Sequence, residues 1–334
     1  MSVRTASTKA ELVSNINYVN QYKKSDFKRT LGKILRNYEL YLFLLPAVAY
    51  IIIFHYVPMY GVQIAFKDFL ATKGIMGSPW VGLKHFERFF NSYQFWKLIK
   101  NTLGLSIYQL LASFPLPIML ALMLNSLTNK RYKKIVQTAT YAPYFISTVV
   151  MVSMLLIFLS PRSGLVNIAI KLFGGSAVHF IAEAEWFKSL YVLSGIWQST
   201  GWNAIIYIAA LSAIDPELHT AAIVDGASKF KRILYIDIPG IMPTMVILLI
   251  LSMGHIMSIG FEKVYLMQNN LNMNTSEVIS TYVYKVGMGG VGTTYGLPDY
   301  GYSAAVGLFN SVINFMLLII TNKLSKKFTE ISLW

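Results

Sequence analysis

Six long apolar stretches alternate with polar, charged ones, near residues 40–62, 101–125, 135–160, 189–213, 239–261 and 302–322. Each reaches the roughly 18–20 residues that a helix needs to cross a bilayer. No charged residue lies between Asn101 and Asn129, nor between Ser189 and Ile214. The pattern predicts an all-α integral membrane protein, with a basic tail over 1–38 and a six-span membrane domain over 39–334. The first apolar run starts well inside the chain and is too long for a secretory signal, so it reads as a retained span. Finer marks follow within this frame. Pro115 and Pro117 predict a kink in span 2, and span 3 opens around Pro143 and runs to Leu159. Phe86, Phe89 and Phe90 sit at helical spacing between spans 1 and 2, which predicts a short amphipathic helix lying on the membrane surface.

Between spans 4 and 5 the pattern changes character. Asp215 can cap a helix that starts at Pro216, with Glu217 just behind it. Leu218, Ala221 and Ala222 share a face, and Gly226 offers the positive-φ residue that ends a short helix. Asp225 is a candidate cap for the helix that follows, or a contact to a partner. In that second helix Phe230, Ile233 and Leu234 lie on one side, with Lys229, Lys231 and Arg232 around them. Pro239 is predicted to stop it before the next apolar run. Two short amphipathic helices joined at a glycine elbow make a rigid plug for a soluble partner.

Composition supports the membrane class: 55% of residues are hydrophobic and 13% charged, against roughly 25% charged in soluble domains. The net charge of +14 does not imply nucleic acid, because its distribution is topological. Basic residues crowd the N-terminal tail, the 130–134 turn, the 217–239 segment and the C-terminus. By the positive-inside rule these four are cytoplasmic, and so are both termini. There are no cysteines, which excludes disulfides and thiolate metal sites. The five histidines show no i,i+4 pair, so no metal ligand set is expected. His255 reads as a buried core or cavity histidine of span 5. Gly287, Gly289 and Gly292 fit G-x-G-x-x-G as a string. No strand precedes them, so they read as a flexible outer loop and not a nucleotide site. No P-loop exists, so any ATP must be bound by another chain. Lys67, Lys84 and Arg88, outside the membrane, suit acidic ligands, and topology or docking equally.

The spans carry essentially no ionised residue, which argues against a proton- or sodium-coupled carrier. Their polar content is neutral: Gln198, Asn203 and Tyr207 in span 4, and Asn310 and Asn314 one turn apart in span 6. Amides and aromatic rings suit an uncharged sugar, whereas the competing role is interhelical hydrogen bonding. Both readings stand at this point.

The order Ala221-Ala222, Asp225-Gly226-Ala227, Ile236, Pro239, Pro243 resembles the EAA loop of permease subunits in binding-protein-dependent ABC importers. From about residue 80 onward the chain is similar to the carbohydrate-uptake branch, maltose-permease-like, and to its lipoprotein-associated oligosaccharide subgroup. One departure stands out: Thr220 occupies the position of the glutamate that names the motif. The resemblance implies a subunit with no catalytic residues, forming half of a translocation pore. It also implies a second homologous permease, two ATPase subunits that use ATP and Mg, and an extracellular sugar-binding lipoprotein. The location implied is the bacterial cytoplasmic membrane. The residues carried over to ATPase coupling are Glu217, Thr220, Ala221, Ala222, Asp225, Gly226, Ala227 and Pro239. A self-sufficient secondary carrier or channel is the alternative. A membrane enzyme would rest on Glu183 and Glu185 alone.

Overall fold

A computed structural model describes residues 36–289 and 296–334. The predicted basic tail lies almost wholly outside the described residues, as does Gly292. The described residues are nearly all helical, and the only β-type contact among them is one bridge between Lys67 and Trp80. The chain divides into two compact units, 1–62 and 63–334.

The first unit is built on helix α1, Tyr38–Phe66, whose end crosses the unit boundary. Its stretch Tyr38–Ile51 buries no residue. A π turn, Ile52–Tyr56, sits just ahead of Pro58. Proline has no N–H and crowds the carbonyl four residues back, and a turn with i→i+5 bonding lets the helix pass it.

In the second unit, α2 (Lys84–Phe90) is followed by the long α3 (Phe95–Ser126), which breaks at Phe114 just before Pro115. Next come α4 (Lys130–Tyr141) and α5 (Thr148–Phe158), then the short α6 (Leu165–Leu172) and α7 (Trp186–Ser212). The elbow segment is α8 (Pro216–Val224) and α9 (Lys229–Met253). Helices α10 (Phe261–Met267), α11 (Ile279–Gly289) and α12 (Tyr300–Thr329) complete the unit.

Three apolar patches hold it together. Phe89, Leu98, Tyr282 and Tyr302 anchor one, Leu105, Tyr191 and Val264 a second, and Ala121, Tyr207 and Ile241 a third. The close crossing of α7 and α4 needs glycine. A Cβ on Gly201 would overlap the Thr140 carbonyl.

Several sequence expectations are corrected here. Span 3 is not straight, because α4 and α5 meet at 98° across a break of a few residues. Pro143 starts a 3-10 turn, and Ser147 caps α5 by accepting from the Val150 N–H. Helix α2 turns part of its aromatic face into the protein. Phe89 is fully buried, packing edge-on against Phe95, Phe309 and Tyr302, and His85 takes a hydrogen-bonding position 3.0 Å from the Lys67 carbonyl. Gly287 and Gly289 are helical residues of α11 and not a loop. The apolar helix predicted over 239–261 ends at Met253.

Candidate functional site

The elbow forms as local rules require. Asp215 accepts from the Glu217 N–H at 2.9 Å, Pro216 takes the first helical position, and Gly226 has φ +75°. The Ala227 N–H donates to the Ala222 carbonyl at 2.8 Å and the Gly226 N–H to Ile223 at 3.0 Å, closing the end of α8. The cap of the next helix is Ser228, which accepts from the Lys231 N–H, and not Asp225, which stays exposed. Pro239 does not stop that helix. A second π turn, Ile233–Asp237, stands just ahead of it, and α9 runs on through Pro239 and Pro243 to Met253. The elbow is therefore one short helix hinged onto a long one.

No residue of α8 is buried, and Leu218, Ile223, Val224 and Phe230 are all exposed. An apolar edge of this kind on a short helix is a docking face. Thr220 makes only a local bond, donating to the Pro216 carbonyl at 3.1 Å. Behind the elbow, His219 Nε2 lies 3.2 Å from Asp237 Oδ1. A cavity of about 300 Å³ surrounds the pair, lined also by Asn125, Ser126, Thr128, Lys229 and Arg232.

Within the helices lies a second polar region. A cavity of about 350 Å³ is lined by Trp202, Asn203, Tyr207, Phe114 and Pro117. It shares Leu110, Ser113 and Ser252 with another of about 210 Å³, lined by Ser106, Gln109, His255 and Ser258. The aromatic wall is braced, since Trp202 stacks flat on Tyr144 at 4.3 Å. Among the described residues no Asp, Glu, Lys or Arg lines either cavity, and His255 is their one histidine. Ser106 Oγ is buried without a hydrogen-bond partner, a vacancy that a hydroxyl-bearing ligand can satisfy.

The predicted pathway residues separate by what they touch. Asn203 and Tyr207 line the larger cavity. Gln198 instead donates to the Ile146 carbonyl at 2.7 Å, pinning the α4–α5 bend. Asn314 is committed at both ends of its amide, to Ser258 Oγ and the Met257 N–H. Asn310 Nδ2 reaches the same Ser258 Oγ at 3.4 Å, while its Oδ1 is buried without a partner. His255 is not core: α9 ends before it, and it is exposed on the cavity wall. Ser106, Gln109 and Ser113 were not singled out from sequence, because serine and glutamine within an apolar run carry no periodic signal.

The three basic residues suited to acidic ligands are engaged. Lys67 Nζ donates to the Ile75 carbonyl, Lys84 pairs with Asp68 at 2.9 Å, and Arg88 pairs with Asp299 at 2.7 Å over the Tyr302 ring. Asn272, 1% exposed, knots the segment after α10. It donates to the Ile181 and Met267 carbonyls and accepts from the Ser276 hydroxyl. Lys263 is buried, which pushes its pKa down to about 8, and its ammonium donates to the Tyr191 carbonyl at 2.6 Å.

Comparison with known proteins gives consistent matches. A family model described as "Binding-protein-dependent transport system inner membrane component" matches residues 113–330. The chain is 42% identical to the polygalacturonan/rhamnogalacturonan transport system permease protein YteP of Bacillus subtilis (strain 168), covering 98% of this chain and 99% of that one. It is 41% identical to Protein LplB of the same organism, over 90% and 92% of the two chains. A chain from the crystal structure of a bacterial ABC transporter involved in the import of the acidic polysaccharide alginate superposes with a TM-score of 0.81. It is 40% identical, covering 90% of this chain and 99% of that one.

Proposed function

The chain belongs to the family of binding-protein-dependent transport system inner membrane components, and on that premise we propose how its elbow and cavities divide the work. It is a permease subunit of an ATP-driven sugar importer, not an enzyme. The elbow, Glu217 to Pro239, docks on a separate ATPase that supplies ATP and Mg chemistry. The contact face includes Glu217, Thr220, Ala221, Ala222, Asp225, Gly226 and Ala227. The observation that carries this reading is α8 itself, a helix without one buried residue joined to a long apolar helix. Rigid-body motion of α8 passes to α9 and rocks the bundle. A second homologous permease completes the pore, two ATPases drive it, and an extracellular sugar-binding lipoprotein delivers the load. The setting is the cytoplasmic membrane, with both termini inside.

The paired cavities form this subunit's side of the sugar path. Asn203, Tyr207, Gln109 and Ser106 meet hydroxyls, and Trp202 faces the C–H side of a pyranose ring. Asn310 and its unpartnered oxygen belong to an adjoining part of the path, while Gln198 and Asn314 act as struts. The favoured cargo is a uronate-containing oligosaccharide. Two observations support it: relatives named for polygalacturonan/rhamnogalacturonan and for alginate, and a cavity wall with a histidine and no carboxylate.

The test is reconstitution of the full complex with its binding protein, scoring which saccharides raise ATP hydrolysis. Uronate oligosaccharides are expected to stimulate it more than neutral ones of equal length. Deleting Ala221 to Lys231 is expected to leave the chain inserted in the membrane and abolish co-purification with the ATPase. Survival of the complex after that deletion overturns the coupling assignment.

A further inference from the structure

We propose that His219 and Asp237 form a strut that carries force from α8 into α9, making both positioning residues for transport. The proposal rests on the reading of α8 as the ATPase-coupling element. A helix hinged at a glycine transmits torque only if a second point, away from the hinge, is fixed. The backbone bonds that close α8 all lie close to Gly226: Gly226 to Ile223 and Ala227 to Ala222. They set the bend; at its other end the helix is joined to α7 through residues 213–215, where Ile214 packs on α9 beside Gly240. Between these two ends α8 itself buries no residue.

A third tie is the side-chain link from His219 Nε2 to Asp237 Oδ1 at 3.2 Å, between residues eighteen positions apart. Among the described residues no other side-chain hydrogen bond or ion pair joins α8 to α9. Thr220 bonds only within its own helix, and Asp215 caps it locally. Asp237 is 5% exposed, and its carboxylate interacts electrostatically with Arg232 as well as with the His219 imidazole. A cavity of about 300 Å³ borders the pair. Asp237 also sits on the π turn ahead of Pro239. The strut therefore lands where α9 is already wound unusually, and a pull at that point acts on the whole of α9.

The experiment uses the complete importer in proteoliposomes and reads sugar moved per ATP hydrolysed. His219→Ala and the isosteric Asp237→Asn are each expected to lower that ratio several-fold while the ATPase still co-purifies. The exchanged pair, His219→Asp with Asp237→His, is expected to restore most of it, which a purely local role for either residue does not allow. If His219→Ala disturbs assembly, His219→Gln with the same readout replaces it. An unchanged ratio in both single variants overturns the strut, as does a swap that restores nothing. Loss of the ATPase on His219→Gln also overturns it, in favour of direct partner contact. Failure of the coupling reading shows separately, as an ATPase that stays bound after deletion of Ala221 to Lys231.

Discussion

Asn314 holds the turn after α9 with both ends of its amide, donating to Ser258 Oγ at 2.7 Å and accepting from the Met257 N–H at 2.9 Å. Met257 is 2% exposed, so its N–H has no water to fall back on. Asn314→Leu keeps the volume and removes both bonds. It is expected to cost about 1–3 kcal/mol, the penalty for an unsatisfied buried donor. Thermal unfolding in detergent reads this directly, and a variant as stable as the parent would show that the amide is dispensable.

Gly226 has φ +75° with open space around its missing Cβ. Gly226→Ala meets no steric neighbour, so its cost is purely conformational, about 1–2 kcal/mol. The expected result is a chain that inserts normally but captures less ATPase in a pull-down. Equal capture would mean that the elbow tolerates another angle.

Lys263 yields a pH prediction with a definite sign. Burial pushes its folded pKa down from 10.5 to about 8. Between those values the unfolded chain binds a proton that the folded chain has released, so stability rises with pH across that window. The slope approaches about 1.4 kcal/mol per pH unit for one proton. It is flat above the unfolded value, and the full penalty is present below about 8. Lys263→Met is expected to flatten the curve between pH 8 and 10.5, as measured by the difference in unfolding midpoint between variant and parent.

His255 and Trp202 test the sugar path. His255→Ala is expected to lower uptake of uronate oligosaccharides more than neutral ones. Trp202→Ala is expected to lower both, because stacking on a ring face ignores charge. Aromatic pairs gain about 0.5–1.5 kcal/mol from stacking, and a contact of that order on a pyranose face is a several-fold change in apparent affinity. Equal losses for both sugars in His255→Ala would remove the histidine from selectivity.

What could be read from sequence was what neighbours along the chain decide. The Asp215 cap, the Pro216 start and the Gly226 turn each depend on a few adjacent residues, and each stands in the structure. What depends on distant partners was hidden. Phe89 looks like one more phenylalanine on an amphipathic face, yet Phe95, Tyr302 and Phe309 enclose it. Gln198, Asn203 and Asn314 are alike as polar residues in apolar runs. They part company only because the Ile146 carbonyl and Ser258 stand within reach of two of them. His255 stands on a cavity wall, one of its two expected places, but outside the helix, because apolarity continues past Met253 while the helix does not. Pro239 was read as a stop because sequence does not reveal a local change of helical pitch.

The π turn at Ile233–Asp237 has one further consequence. Such a turn holds one residue more than a regular α-helix accommodates in the same rise. Removing a single residue from it would let ordinary winding resume with the flanking turns nearly in place, whereas removing one from a regular turn of α9 would rotate everything beyond by about 100° and shift it by about 1.5 Å. The exposed edge of α8 would then point to a different quarter of the compass with every one of its own residues intact. The direction in which this subunit offers its handle is thus set by a count of backbone atoms in α9, independently of the chemistry of the handle itself.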